Sequence, residues 1–352
     1  MKQKKKVRIG ITLGDPAGIG TEITLKALQD PRIRESATFL LIGDYGAVIH
    51  TQRQIGCNLN FHIISDIGKL RLSEELVNFL NLGNVTFPVP HGQADARCGK
   101  VAYEYINMAC LLLRSSESLQ GLVTAPISKE AMRLAGCEFH GHTNILAQRF
   151  KARYVRMMFA AEKLRVVLVT VHTALRNVPD MITKKEVMDS IFATHRALNI
   201  HFRIKRPRIA ICGLNPHASE NGLFGNEERS QIIPAIEAAR AQKVKIEGPF
   251  PADTIFWQAK DGAFDAVIAM YHDQACIPFK TLYFEKGVNV TLGLPFVRTS
   301  PDHGTAFSLA GQNKADPESM IAAIRMAVEM TSNMPRKRFK PKVYVPDKDR
   351  SR

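Results

Sequence analysis

A chain of 352 residues with 45% apolar content is longer than a single hydrophobic core usually serves, so two packed domains are expected. It has no run of about 18 uninterrupted apolar residues, and the opening Met1-Lys2-Gln3-Lys4-Lys5-Lys6 lacks the apolar stretch of an export signal, which argues against a membrane span and against secretion. The net charge of +15 invites a nucleic-acid reading, but much of it lies at the ends: Lys2, Lys4, Lys5, Lys6 and Arg8, then Arg336, Lys337, Arg338, Lys340, Lys342, Lys348, Arg350 and Arg352 against only Asp347 and Asp349.

Along the chain, apolar β-rich runs alternate with segments of helical period, the pattern of an α/β protein with a largely parallel sheet. Val7 to Leu13 reads as a strand that ends in the turn Gly14-Asp15-Pro16-Ala17-Gly18-Ile19-Gly20, and Thr21 to Leu28 as the helix that follows it. A second strand is expected over Thr38 to Ile42, a long helix from Val101 to Leu113, and a short buried strand over Gly121 to Thr124. The runs Met157 to Ala161 and Leu164 to Val171 flank Glu162-Lys163 and predict an antiparallel hairpin, a departure from simple winding. Further strands are expected at Arg208 to Cys212, Ala266 to Tyr271 and Val288 to Leu292. Helices are expected near Lys184 to Leu198, Glu227 to Gln242 and Pro317 to Met330. Cys57, Cys98, Cys110, Cys137, Cys212 and Cys276 are scattered without a Cys-x-x-Cys pair, as in a cytoplasmic protein that keeps its thiols reduced.

The chemistry is carried by histidines at strand ends. His172 closes one apolar run, His217 follows another in Asn215-Pro216-His217-Ala218, and His272 closes a third in Tyr271-His272-Asp273-Gln274. In open α/β sheets the carboxyl ends of strands form the ligand crevice, where three imidazoles can share a divalent cation, with Asp273 as a hydrogen-bonding partner. Singly, each is better read as a hydrogen-bonded surface group. Gly141-His142-Thr143 combines an amide, an imidazole and a hydroxyl, and Lys280, Asn289 and Arg298 supply donors suited to phosphate or carboxylate. The body's small positive excess also suits an anionic substrate. The glycine loop at Gly14 to Gly20 lacks the Lys-Ser/Thr ending of a P-loop. Ile23 stands where a dinucleotide fingerprint needs its third glycine, although Asp44 at the next strand end keeps that reading open. No zinc-finger spacing or RNA-recognition aromatic motif accompanies the charge, so neither nucleic acid nor membrane is expected as a partner.

Six segments, Gly14 to Gly20, Thr124-Ala125-Pro126-Ile127-Ser128-Lys129, Gly141-His142-Thr143, Asn215-Pro216-His217-Ala218, Tyr271-His272-Asp273-Gln274 and Pro301-Asp302-His303-Gly304-Thr305-Ala306, together resemble the 4-hydroxythreonine-4-phosphate dehydrogenase family. The resemblance implies an isocitrate/isopropylmalate dehydrogenase-like fold of two α/β/α domains with a cleft between them. Residues 1–128 with 290–352 would form the first domain, and residues 129–289 the second, which carries the metal and dimer-interface residues. It implies a homodimer, NAD or NADP as cofactor, and one divalent metal ion per site, zinc, cobalt or magnesium. By resemblance, His172, His217 and His272 are the metal ligands, with His272 contributed across the dimer interface. His142, Thr143, Lys280, Asn289 and Arg298 match the substrate-binding positions, and Asp302, His303, Gly304 and Thr305 the cofactor loop. Lys280 and Asp273 are the catalytic candidates, Lys280 as proton carrier.

The implied reaction is oxidation of 4-hydroxythreonine 4-phosphate and decarboxylation to 3-amino-2-oxopropyl phosphate, in pyridoxal phosphate biosynthesis. Thr21, Asn144, Ser308 and the loop Glu220 to Gly225 depart from the family pattern. These departures leave open a paralogue acting on threonate or erythronate 4-phosphate or on a cis-dihydrodiol carboxylate. A metal-dependent phosphatase or a non-catalytic anion-binding protein is the alternative of another class.

Overall fold

The structure, a computed structural model, describes residues 6–65, 67–71, 76–114, 119–139 and 141–335. The basic ends that drew the charge argument lie outside the described residues, apart from Lys6 and Arg8. The twelve strands among the described residues are β1 (Arg8–Thr12), β2 (Thr38–Gly43), β3 (Asn60–Ile64), β4 (Leu76–Asn81), β5 (Gly121–Thr124), β6 (Arg156–Ala161), β7 (Leu164–Leu168), β8 (Ile209–Cys212), β9 (Ile246–Phe250), β10 (Ala266–Ala269), β11 (Val288–Leu292) and β12 (Val297–Pro301). They form one sheet in the order β3-β4-β2-β1-β5-β12-β11-β6-β7-β10-β8-β9.

The expected runs at Gly121 to Thr124 and Val288 to Leu292 are strands with those bounds, and β1, β2, β8 and β10 differ from expectation only at their ends. The hairpin at Glu162-Lys163 is β6 paired antiparallel with β7. The helix expected over Val101 to Leu113 runs from Ala96 to Arg114. That expected from Glu227 starts as a π-helical turn, Glu228–Ile232, before the α-helix Ile233–Ala241.

Two parallel sets flank an antiparallel centre. β11 runs against both β12 and β6, and β6 against β7, whereas β12 joins β5 in parallel and β7 joins β10 in parallel. Three successive reversals leave the carboxyl ends of the two parallel sets pointing in opposite directions. A site confined to one row of strand ends is therefore not what the fold provides, and the faces of the central strands become the alternative.

Side chains alternate across a strand, and in β12 this decides the site. Thr299 Oγ1 donates to the Ala323 carbonyl at 2.8 Å, which puts it under the helix Glu318–Asn333. Arg298 and Ser300 therefore face the other way. The pairing Asn289↔Ser300 places Asn289 and Thr291 of β11 on that second face as well. Phe159, paired with Asn289, touches Phe279 with ring centroids 5.6 Å apart. This contact lays the helix His272–Tyr283 along one side of the same face.

Candidate active site

Arg298 is the centre of the face. It is 3% exposed and donates from Nη1 to Thr291 Oγ1 at 3.0 Å and from Nη2 to Thr124 Oγ1 at 2.6 Å. Both acceptors are neutral, and no carboxylate among the described residues pairs with it. Burial pulls the proton affinity of the guanidinium down to about 9, well short of discharging it at neutral pH. Arg298 Nε, His142 Nε2 and Asn289 Oδ1 are all buried without a hydrogen-bond partner among the described residues. Burial, then the nearby charge of Arg298, holds the His142 imidazole neutral, well below its usual range. His142 opens the helix His142–Arg149, whose N-cap Gly141 offers no side chain to its amides. A buried cation, three unsatisfied polar atoms and an uncapped helix start form a pocket built for an anion with several oxygens. Thr143, the next residue on that helix, is half-buried.

The helix His272–Tyr283 carries the other half of the chemistry. At its start, His272 Nδ1 lies 2.7 Å from Asp273 Oδ1, which leaves Nε2 to face Cys276 Sγ at 3.6 Å and the His172 ring, whose centroid is 5.8 Å away. The walls of this hollow, a cavity of about 390 Å³, include Val171, Thr173, Val178 and Tyr271. Burial first, then the charges of Lys129 and His272, lower the proton affinity of His172, so its imidazole is neutral, as a metal ligand must be. With metal–nitrogen bonds of about 2.0–2.1 Å, His172 and His272 are within reach of one ion.

His217 stands apart from them, beside Phe224 at 6.2 Å. Among the described residues no group of three or more His, Cys, Asp or Glu side chains is placed to hold a metal. Within a single chain, then, the structure brings together His172 and His272, so that His217, and not His272 as the resemblance implied, is the imidazole left apart. His217 to Asn221 all have positive φ, between 46° and 72°, a strained left-handed run for non-glycine residues. Glu228 anchors its approach: Oε1 accepts the amides of Leu214 and Asn215, each at 2.7 Å, and Oε2 accepts Asn215 Nδ2 at 2.9 Å. Sequence reasoning missed Glu228, since a glutamate in a helical run reads as solvated surface.

Two turns after His272, Lys280 Nζ donates to the Asp302 carbonyl at 3.0 Å and lies 3.3 Å from Asp302 Oδ2. Burial raises the Asp302 carboxyl above its usual range, against the opposing pull of Lys280. Asp302 was expected in the cofactor loop, and the structure engages it with the candidate proton carrier. His303 Nδ1 approaches the Gly304 carbonyl at 2.9 Å. Thr305 packs on the first glycine loop: its carbonyl accepts the Ile19 amide at 3.1 Å, and a Cβ on Gly18 would come within 2.9 Å of Thr305 Cβ. That glycine is required by a neighbouring protein loop, whatever ligand binds nearby. Asp44 accepts the amides of Ala47 at 2.9 Å and Val85 at 3.1 Å; it caps a helix, which explains it without a ribose.

All six cysteines are free, as expected of reduced thiols. No helix among the described residues is long and apolar enough to cross a membrane.

Comparison with known proteins bears on this arrangement. The family described as "Pyridoxal phosphate biosynthetic protein PdxA" matches residues 35–327. A 4-hydroxythreonine-4-phosphate dehydrogenase of Desulfosudis oleivorans is 44% identical over 92% of this chain and 96% of its own length. A D-threonate 4-phosphate dehydrogenase of Cupriavidus necator is 42% identical over 92% of this chain and 97% of its own. Among solved structures, a 4-hydroxythreonine-4-phosphate dehydrogenase of Klebsiella pneumoniae superimposes with a TM-score of 0.82 at 37% identity, covering 94% of this chain and 99% of that one. A β-decarboxylating dehydrogenase of Thermococcus kodakarensis shares the fold at a TM-score of 0.52 and 11% identity, over 93% of this chain and 84% of that one.

Proposed function

The chain belongs to the PdxA family of pyridoxal phosphate biosynthetic proteins and is an oxidoreductase; from that premise we propose that it oxidises a phosphorylated hydroxy acid with NAD or NADP, 4-hydroxythreonine 4-phosphate being the first candidate. The single observation that carries the reading is Arg298, a charged guanidinium sunk in the sheet face with two threonine hydroxyls as its partners among the described residues. A buried charge of this kind costs several kcal/mol unless an opposite charge arrives, and a phosphate is a suitable one. His142, Thr143 and Asn289 add donors and acceptors around it, and Lys280 approaches from the helix His272–Tyr283. D-Threonate 4-phosphate, the substrate named for the Cupriavidus relative, is the second reading, because Asn144 and Ser308 depart from the family pattern in the substrate and cofactor loops.

In the proposed chemistry the imidazoles of His172, His217 and His272 would hold a divalent metal. When bound, it would supply Lewis-acid stabilisation of the substrate oxygen while the nicotinamide accepts hydride. Asp273 fixes the His272 ring through Nδ1 and so keeps Nε2 turned toward His172. Lys280 is held by the Asp302 carbonyl and carboxylate; by handing one of its own protons to that carboxylate it would become the free amine that takes the proton the substrate hydroxyl gives up. Asp302 to Thr305 would form one wall of the cofactor site. We place the missing third donor in a homodimer. Leu175 in the hollow of His172 and His272, Leu223 and Phe224 in the loop after His217, and Ile277 on the His272 helix are large apolar side chains left exposed, a surface suited to burial against a second copy.

Absorbance at the NADH band tests the reading. Turnover of 4-hydroxythreonine 4-phosphate, threonate 4-phosphate and erythronate 4-phosphate, each with NAD and NADP, is expected to reduce nicotinamide and to stop on adding a chelator. Release of phosphate without reduction would instead make the protein a phosphatase.

A further inference from the structure

Arg298 and its neighbours account for one anionic end of a phosphorylated hydroxy acid, yet such a molecule has a second, its carboxylate. The loop from Thr124 to Lys129 joins the two regions of the site. Thr124, at the end of β5, holds Arg298 Nη2, and Lys129 opens the helix Lys129–Leu134 five residues later, with Ser128 as its cap through a bond to the Ala131 amide at 3.1 Å. The base of the loop is fixed, since the Pro126 carbonyl accepts the Asp15 amide at 3.0 Å.

From this anchored start the Lys129 stem runs past Gly141: a Cβ on that glycine would lie 3.9 Å from Lys129 Cε. Gly141 immediately precedes His142 and Thr143 on the anion-pocket side. On the other side, Lys129 is close enough to His172 for its charge to bear on that imidazole. Lys129 is exposed and has no hydrogen bond or ion pair with any described residue. An ammonium without a partner among the described residues thus stands beside the start of the His142 helix, where a hydroxy acid with its phosphate on Arg298 would bring its carboxylate within reach.

We propose that Lys129 is the substrate-carboxylate-binding residue of this site, a second cation that measures the far end of the phosphorylated acid. The assignment rests on the phosphorylated hydroxy acid reading above, and it makes Lys129 a determinant of substrate class: phosphates with a carboxylate are selected over the corresponding alcohols.

The test uses equilibrium binding, which does not depend on turnover. Calorimetry on the full-length protein compares 3-phosphoglycerate with glycerol 3-phosphate, in which a hydroxymethyl group replaces the carboxylate. The wild type is expected to bind 3-phosphoglycerate at least about tenfold more tightly, a difference of about 1.4 kcal/mol. Lys129→Met is expected to reduce the preference to within about twofold while leaving the glycerol 3-phosphate affinity unchanged, and Lys129→Arg to restore most of it. The proposal is overturned if Lys129→Met keeps the wild-type preference, if both ligands weaken together, or if the wild type shows no preference. Nicotinamide reduction by the wild type is a separate measurement. Its failure would remove the dehydrogenase reading, and the carboxylate increment would still judge Lys129.

Discussion

Replacing Arg298 by methionine, which is similar in length but uncharged, should move stability and ligand affinity in different directions. The substitution removes two hydrogen bonds from a charged donor, at 3.0 Å to Thr291 and 2.6 Å to Thr124, each worth about 1.5–3 kcal/mol. It also removes a guanidinium that is 3% exposed and has no counter-charge among the described residues, relieving a burial penalty of several kcal/mol. The two freed threonine hydroxyls can turn to other acceptors. The net change in folding stability should therefore lie between zero and a gain of about 2 kcal/mol, and the melting temperature should hold or rise. Affinity for phosphate and phosphorylated acids should fall by about 3–4 kcal/mol, two to three orders of magnitude, because a buried charge-assisted contact disappears. Thermal melts with and without inorganic phosphate, beside calorimetry, read both numbers. The wild-type melting temperature should climb with phosphate and that of Arg298→Met should not. A variant that loses more than about 2 kcal/mol of stability yet binds phosphate normally would show that Arg298 is a structural strut and that the anion pocket is misassigned.

Other expectations follow from single contacts. Asp15 is fully buried, with Oδ2 lacking a partner, and burial raises its carboxyl to about 6 even though the Ala17 amide donates to Oδ1 at 2.9 Å. Since the folded state holds this proton more tightly than the unfolded chain, wild-type stability falls as pH rises from about 4 to about 6, and the penalty is complete above that. Asp15→Asn should accordingly be more stable than wild type by roughly 2–3 kcal/mol at pH 7.5, with the gap closing below pH 4 in denaturant titrations. Gly18→Ala sets a Cβ 2.9 Å from both Cβ and the carbonyl oxygen of Thr305; it should cost about 1–3 kcal/mol and raise KM for NAD or NADP more than KM for the acid. Glu228→Ala strands the amides of Leu214 and Asn215; a loss of about 3 kcal/mol in urea melts should accompany weaker metal uptake as the His217 loop relaxes, and unchanged stability would show the anchor to be dispensable.

Local pattern made much of the fold legible. β5 and β11 are short apolar runs, and such runs announce buried strands wherever they fall. The hairpin at Glu162-Lys163 was readable because charged turn residues split two apolar runs. Strands β3 and β9 escaped because they sit at the sheet's edges, where β3 is mostly open to solvent and β9 contains Gly248 and Pro249. β12 escaped for the opposite reason: Val-Arg-Thr-Ser-Pro reads as polar, yet all five residues are buried. The three strand-end histidines were visible as positions, while their grouping into a pair and an outlier was not.

What the sequence determined by itself, then, is most of the interior strands and long helices and which residue types are available for chemistry, because periodicity and capping act over a few residues. Tertiary structure alone decided that the sheet reverses direction at its centre, that Arg298 is sunk against Thr124 from 174 residues away, and that Asp302 belongs to Lys280. Those facts depend on which strands become neighbours and on which cations lose their water. Both follow from packing between distant parts of the chain, where no local pattern carries the information.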